Sequence, residues 1–508
     1  MSAHLYDALT ARFPKRDKPF LTTAEGRSVS YRELNEGSGR IASVLRDLGV
    51  EPGDRVAVQV QKSPEAVLLY LACLRAGAVF LPLNTAYTPV EVGYFLGDAE
   101  PKVFVCDPAR REEFAEAAQN ARVRRVETLD ESGGGSLMQK AKAAPPEFAN
   151  TSREPDDLAA ILYTSGTTGR SKGAMLSQEN LASNARTLVE YWRFGPKDVL
   201  LHALPIYHTH GLFVAINTLL MAGGSLLFLP RFDADTVIRL LPEATSMMAV
   251  PTFYTRLLQH PKLNPALLKH MRLFTSGSAP LLAETHREWG AKTGHSILER
   301  YGMTETNMNT SNPYEGERIP GSVGFPLPGI SLRVVDPDTA APVRRGEVGM
   351  IEVAGPNVFK GYWRMPEKTA EEFTSDGYFK TGDLGRVDER GYVYIVGRGK
   401  DLVITGGFNV YPKEVETEID ALPGVAESAV IGVPHPDFGE GVTAVVVRKN
   451  GAKIDEREIS RALDGRLAKF KLPKRILFAD NLPRNAMGKV QKNVLRNTYR
   501  DIYKNAAS

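Results

Sequence analysis

Cysteine is almost missing: Cys73 and Cys106 are the only two in 508 residues. Two thiols cannot build a disulfide framework, and neither sits in the CxxC spacing that would cage a metal. The scarcity fits a reducing compartment, so a cytoplasmic location is expected. Long apolar runs are missing too. The longest, AVLLYLACL at residues 66–74, is less than half the roughly 20 residues needed to cross a bilayer. The N-terminal MSAHLYDALTARFPKRDKPF has no continuous apolar centre of the signal-peptide kind and reads as the mature start of a soluble protein. Neither sign of charge prevails. With 63 basic and 60 acidic residues, a net +3, the chain lacks the excess that a dedicated nucleic-acid binder carries. Low-complexity sequence is confined to ESGGGS at residues 131–136, expected to be a flexible surface loop, and no internal repeat occurs.

What remains is ordinary globular composition, 43% apolar and 24% charged, in a chain long enough for two or three packed units. YRELNEGSGRIASVLRDLG repeats apolar residues at helical spacing, and DRVAVQV reads as a buried strand. SPEAVLLYLACLRAG then reads as a helix capped by Ser63 with Pro64 in its first turn, and AVFLPL as the next strand. The same grammar recurs in AEPKVFVC, DLAAILYT and SMMAVPTFYTRLLQH. The fold class is therefore α/β, with mainly parallel sheets covered by helices. Strand and turn signals between residues 321 and 394 predict an attached antiparallel, barrel-like β unit. After Lys400 the pattern resets into a smaller α+β unit: a helix at YPKEVETEIDAL, strands at ESAVIGV and VTAVVV, a helix from Asp455 and a strand at RILFA.

YTSGTTGRSKG, residues 163–173, follows a predicted strand and is packed with hydroxyls, glycines and two cations. Glycines let several backbone N–H groups converge on one anion, hydroxyls add donors, and Lys172 adds a movable charge. The composition suits polyphosphate, although an ordinary Gly/Ser/Thr turn shares it. It is not a Walker A loop, because Lys172 is followed by Gly173 and the strand-like AMLS instead of a hydroxyl residue and a helix.

That loop, together with ERYGMTE, YFKTGDLG, GRGKDLVITGGFNVYPKEVE and PRNAMGK in this order, resembles the adenylate-forming superfamily of acyl-CoA synthetases, aryl-CoA ligases and luciferases. The likeness covers nearly the whole chain. It implies two half-reactions: a carboxylate attacks the α-phosphate of ATP and expels pyrophosphate, then the thiol of coenzyme A attacks the acyl-adenylate and expels AMP. Both build negative charge on oxygen, so fixed donors, cations and Mg²⁺ should carry the catalysis. By motif position, Thr164, Ser165, Gly166, Thr167, Thr168, Gly169, Arg170, Ser171 and Lys172 would hold the β- and γ-phosphates. Thr304 would meet the α-phosphate and Glu305 the Mg²⁺, an ion often bound by one carboxylate plus phosphate oxygens. Tyr301, followed by Gly302, would lie against adenine, with Ser276, Gly277, Ser278 and Ala279 as the other wall. Asp383 resembles the acid that accepts from the ribose hydroxyls, and Arg398 a second ribose or phosphate contact.

Lys489 resembles the catalytic lysine of the first half-reaction, in a loop shaped by Pro483 and Gly488. The resemblance also implies a mobile C-terminal lid, residues 401–508, that rotates on residues 1–399 about a hinge at Lys400. Rotation would withdraw Lys489 and bring in Gly406 and Gly407, where pantetheine could approach the backbone. The segment around Lys489 further resembles one that is acetylated in relatives, which implies a lysine acetyltransferase and deacetylase as partners.

LPIYHTHGL, residues 204–212, resembles the segment lining the acyl pocket, and places His208 with the catalytic residues and Thr209 and His210 with the substrate. A metal reading of the His-x-His pair lacks a third ligand at suitable spacing. In relatives that take fatty or aromatic acids, the residue before the motif tyrosine tends to be small. Here it is Arg300. A buried, unpaired guanidinium costs several kcal/mol, but it can grip a second carboxylate through two parallel hydrogen bonds. With PTFYTR and SGSAPL, the pattern most resembles the malonyl-CoA synthetases. Ser276 and Met308 complete the expected substrate contacts. Thr209 and Met308 should set tolerance for methylmalonate, where one methyl discriminates by about 1–3 kcal/mol.

Other readings stay open. Arg300 could instead pair with Glu299 or another acid, and Arg256 and Arg272 are further carboxylate candidates. The acid could be a short or aromatic monocarboxylate. Adenylation for a carrier protein is the less simple reading, since the chain ends at Ser508 with no carrier segment. A regulator without catalysis would be expected to lose Lys489, Glu305 or Lys172, and all three are present.

Overall fold

The computed structural model describes residues 4–14, 17–164, 171–406, 408–464, 466–485 and 488–503. Two sheets dominate the first 330 residues. One has six strands in the order Arg125–Thr128, Val103–Cys106, Arg55–Gln59, Val79–Pro82, Leu158–Thr164 and Lys172–Ser177, parallel except for the last pair. The other has nine strands. Its parallel centre runs Ile297–Met303, Leu273–Ser276, Ser246–Ala249, Val199–His202, Ser225–Phe228 and Pro19–Thr23, with antiparallel strands at both ends.

Helices sit where the sequence marks them. Ser30 accepts from the Glu33 amide while the Glu33 carboxylate accepts from the Ser30 amide, a reciprocal cap that opens Tyr31–Asp47. Ser63 and Pro64 open Pro64–Ala76 as expected, and Gly77 in the left-handed region ends it. Every residue of that helix is buried, as its all-round apolar surface requires. Its side chains join one core that draws Val56 and Phe80 from the six-stranded sheet and Phe20, Leu200 and Leu226 from the nine-stranded one. The helix is thus a filling between two sheets.

The expected antiparallel unit is a sheet of four strands, Ser331–Val335, Gly349–Ala354, Phe379–Val387 and Val393–Arg398, bridged to the larger part at Gly324–Val393. Beyond it lies a five-stranded sheet built only from later residues: Phe408–Val410, Val403–Thr405, Gly439–Arg448, Val425–His435 and Arg475–Phe478. It packs with the helices Pro412–Asp420, Glu456–Leu463 and Lys492–Thr498. Lys449 of this part pairs with Glu284 at 3.2 Å.

One expectation changes. ESGGGS is an ordered turn and not a loose loop, because the Asp130 carboxylate accepts from the amides of Ser132 and Gly134 and from the Ser132 hydroxyl at 2.7–2.8 Å. Both cysteines are buried free thiols. Among the described residues no helix is long and apolar enough to cross a membrane.

Candidate active site

Parallel strands open their carboxyl ends to ligands, since the chain leaves there in loops that no neighbouring strand covers. Four adjacent strands of the nine-stranded sheet end this way. LPIYHTHG follows Val199–His202, PTFYTR follows Ser246–Ala249, GSAPL follows Leu273–Ser276, and the turn at Thr304 follows Ile297–Met303. Segments up to about 100 residues apart in sequence are thereby gathered on one edge, as helix-connected parallel pairing demands.

Ile297–Met303 turns back into Asn307–Ser311, with Arg300 opposite Ser311, Tyr301 opposite Thr310, and a bulge before Gly302. A Cβ on Gly302 would lie 1.7 Å from the Asn307 carbonyl oxygen, so only glycine fits. Successive residues of a strand point to opposite faces. Glu299 accordingly turns away from Arg300, meets His286 Nδ1 at 3.1 Å and accepts from the Gly321 amide. The Arg300–Glu299 pair is therefore not formed.

Arg300 is 3% exposed, and its Nε and Nη2 have no hydrogen-bond partner among the described residues. Burial pushes it down to about 9. Gly277 makes room for it: a Cβ there would lie 2.2 Å from Nη1. Burial and the Arg300 charge hold His208 down at about 4, and the same causes lower His210. Both imidazoles are thus neutral near pH 7, and with a guanidinium beside them they do not suit a second cation. His210 Nδ1 meets Ser278 Oγ at 3.1 Å, while Nε2 is buried without a partner among the described residues. Thr209 donates to Asn307 Oδ1 at 2.6 Å, Ser276 Oγ is buried without a partner among the described residues, and Met308 is packed in the core. The other arginines are placed differently. Arg272 is charge-paired with Asp198 at 2.6 Å, with only its Nη2 buried without a partner among the described residues, and Arg256 is exposed beside the Phe232 ring.

A second group lies on the other face of the same hairpin. The Tyr301 hydroxyl donates to Asp383 Oδ2 at 2.5 Å, and Arg398 Nε meets Asp383 Oδ1 at 2.7 Å. Asp383 and Arg398 are directly opposed across two antiparallel strands, where unlike charges support each other. Glu305 is buried, which raises its carboxyl, and its Oε1 accepts from the Tyr362 hydroxyl at 3.1 Å. Thr304 stands at the turn, half-buried.

The phosphate loop spans a hairpin closed by pairing of Thr164 with Lys172, and not a strand-to-helix turn. Ser165, Gly166, Thr167, Thr168, Gly169 and Arg170 lie outside the described residues, as does Gly407. Lys172 Nζ sits 4.2 Å from the Tyr362 ring centre and 3.7 Å from Glu372, and the Ser171 carbonyl accepts from Tyr94. Tyr362 therefore touches both the expected metal carboxylate and the expected phosphate lysine. Its role has little signal in the sequence beyond an aromatic after glycine in FKGYW. Ala279 follows Ser278, whose φ of +69° turns the chain back toward His210.

Lys489 reaches this site from the C-terminal part. A Cβ on Gly488 would come within 3.3 Å of the Thr252 side chain. Lys489 is exposed overall, yet the protein gathered around its ammonium, with the Arg398 and Lys400 charges, pushes it down to about 8, while Asp383 opposes the shift. Gly406 is exposed with φ +57°, its amide donating to the Phe438 carbonyl, and Lys400 stands in the turn Gly399–Asp401 between the last two sheets.

Comparison with known proteins matches residues 8–363 to the AMP-binding enzyme family and residues 414–489 to the AMP-binding enzyme C-terminal domain. A malonate–CoA ligase of Arabidopsis thaliana is 34% identical over 93% of this chain and 85% of that protein. A feruloyl-CoA synthase of an Amycolatopsis species is 36% identical over 93% and 94%. Among solved structures, ATP-bound MatB from Rhodopseudomonas palustris is 65% identical over 99% of this chain and 100% of that one, with a TM-score of 0.97.

Proposed function

The chain belongs to the AMP-binding enzyme family, and from that premise we propose that it joins malonate to coenzyme A, using ATP and passing through malonyl-adenylate to malonyl-CoA, AMP and pyrophosphate. It is an AMP-forming acid–thiol ligase. One observation carries the choice of acid: the buried Arg300 guanidinium, whose Nε and Nη2 have no partner among the described residues, lies beside His208 and His210. An apolar acyl chain would leave those donors unmet, at a cost of about 1–3 kcal/mol each, whereas a distal carboxylate takes both in parallel. The malonate–CoA ligase relative agrees with the choice of acid, and the ATP-bound MatB likeness with the use of ATP. Methylmalonate, one methyl larger, is the nearest alternative substrate.

In the first half-reaction the free carboxylate of malonate attacks the α-phosphorus and the bond to pyrophosphate breaks. Thr304 and the Lys489 ammonium meet the growing charge, and Arg300 with Thr209, His210, Ser276 and Met308 fixes the other end of the acid. His208 lies at the reacting end. Tyr301, Gly302 and the segment Gly277, Ser278 and Ala279 hold adenine, Asp383 and Arg398 the ribose, and Thr164 to Lys172 the outer phosphates. Glu305 fits Mg²⁺: its one side-chain partner among the described residues is the neutral Tyr362 hydroxyl, which leaves the carboxylate available to an ion bound otherwise by phosphate and water. Bound there, Mg²⁺ supplies neutralisation of the polyphosphate charge.

The second half-reaction needs a thiol path where Lys489 now stands. We assign residues 1–399 and 401–508 to two domains hinged at Lys400, with Gly406 and Gly407 forming the pantetheine face after rotation. The turn Gly399–Asp401 between sheets and the position of Gly488, next to Lys489, against Thr252 support that assignment. Acetylation of Lys489 by a lysine acetyltransferase would remove its charge and stop the first step only, and a deacetylase would restore it. Two buried free thiols accord with a cytoplasmic enzyme. The test is CoA-thioester formation with malonate, methylmalonate, succinate, acetate, octanoate and 4-coumarate. Malonate should lead, and if a monocarboxylate outperforms every diacid the reading is lost.

A further inference from the structure

Lys62 is a buried lysine with no carboxylate partner among the described residues. It lies between Arg55–Gln59 and the helix capped by Ser63. Its Nζ meets His202 Nδ1 at 2.7 Å, donates to the His202 carbonyl at 2.9 Å, and rests 4.4 Å from the centre of the Phe228 ring. His202 is the last residue of its strand, 1% exposed, and its Nε2 lies 2.8 Å from the Gly211 carbonyl oxygen. A carbonyl can only accept, so Nε2 carries the proton and Nδ1 offers Lys62 a lone pair. The chain Lys62–His202–Gly211 is therefore directional.

Gly211 is the residue after His210, and the segment between His202 and Gly211 is pinned at both ends. A Cβ on Gly211 would lie 2.1 Å from the Pro205 carbonyl oxygen, and the Leu212 amide donates to the His208 carbonyl. His208, Thr209 and His210 thus sit on a short arch with this buried polar strut beneath it, alongside the Thr209–Asn307 and His210–Ser278 contacts. Burying an amine in such a place is costly, and a hydrophobic residue would fill the site under Phe228 without that cost. We propose that Lys62 and His202 are positioning residues for the distal-acid pocket, holding the arch so that a second carboxylate is recognised. The proposal rests on the diacid reading of Arg300.

The test compares kcat/KM for malonate and for propionate, which carries a methyl where malonate has its distal carboxylate. Lys62→Met and His202→Leu should shrink the malonate-to-propionate ratio about tenfold, with KM for ATP within about twofold, because a misplaced contact costs the diacid alone. His202→Gln keeps a donor for Gly211 but offers Lys62 no ring nitrogen, and should fall between, about threefold below the parent. A merely structural strut would lower turnover of both acids together and leave the ratio alone. Ratios within about 1.5-fold of the parent in every variant that folds, His202→Gln alone if the other two do not, overturn the proposal. A parent enzyme that does not activate malonate at all overturns the diacid reading instead.

Discussion

Replacing Arg300 by methionine separates substrate binding from folding. The guanidinium is buried with two unpartnered donors among the described residues, and burial takes it from the ordinary arginine range down to about 9. At 1.36 kcal/mol per tenfold change in proton affinity, that displacement corresponds to about 5 kcal/mol of lost solvation, an upper figure where water can enter a pocket. Methionine fills much of the same space without charge, so the ligand-free variant should be about 1–3 kcal/mol more stable than the parent. Malonate, however, loses two charge-assisted hydrogen bonds of about 1.5–3 kcal/mol each. Its kcat/KM should fall about 10²- to 10⁴-fold while KM for ATP stays within about twofold. Pyrophosphate release measures the first effect and urea unfolding of the ligand-free protein the second. Unchanged malonate turnover would refute the argument by placing the distal carboxylate elsewhere. Lost stability, with turnover of every acid lost in parallel, would make Arg300 a structural residue.

Other consequences are as direct. Gly277→Ala puts a methyl 2.2 Å from the Arg300 Nη1 position, and a guanidinium at the end of a flexible side chain can move aside. The variant should fold with near-parent stability yet lose about 10- to 100-fold in malonate kcat/KM, and parent-like malonate kinetics would contradict the placement. Tyr362→Phe keeps the ring under Lys172 but strips the hydroxyl from Glu305. Calorimetry should show Mg²⁺–ATP binding weakened about 5- to 20-fold with malonate KM unchanged, and unaltered calorimetric binding counts against a positioning role. In the ATP-free enzyme Lys489 is lowered to about 8, so its ammonium is present below that pH and lost as pH rises through it. NMR of ¹³C-methylated lysines should show that midpoint, and ATP, whose phosphates favour the charged form, should move it up by about one pH unit or more. A midpoint near that of free lysine without ATP would disprove the crowded placement.

Much of the architecture was legible because the apolar periodicity of the early helices and strands is plain, and the Ser63–Pro64 start marks one helix outright. The oddity of Arg300 was legible too, as a charge where the family resemblance leads one to expect a small residue. Its freedom from Glu299, a pairing the sequence left open, comes from strand alternation in the folded hairpin. Other parts depend on contacts distant in sequence. Arg272 is spent on Asp198, Tyr362 reaches Glu305 only after Ala174 bridges to Tyr362, and Lys62 meets His202 across two sheets. No periodicity encodes such meetings, because they arise from how the sheets pack and not from any local preference. ESGGGS shows the reverse error: its composition suggests slack, yet the one aspartate before it, Asp130, orders the turn.

The central claim is that a buried cation selects a second carboxylate. Measuring the parent enzyme's kcat/KM for malonate against propionate isolates that group, since the two acids differ only in what faces Arg300. A site built around an unpaired polar group rejects the analogue lacking its partner by about 10⁴ or more, and a preference for malonate of about that size is predicted. Propionate within about tenfold of malonate would mean that Arg300 does not read the acid.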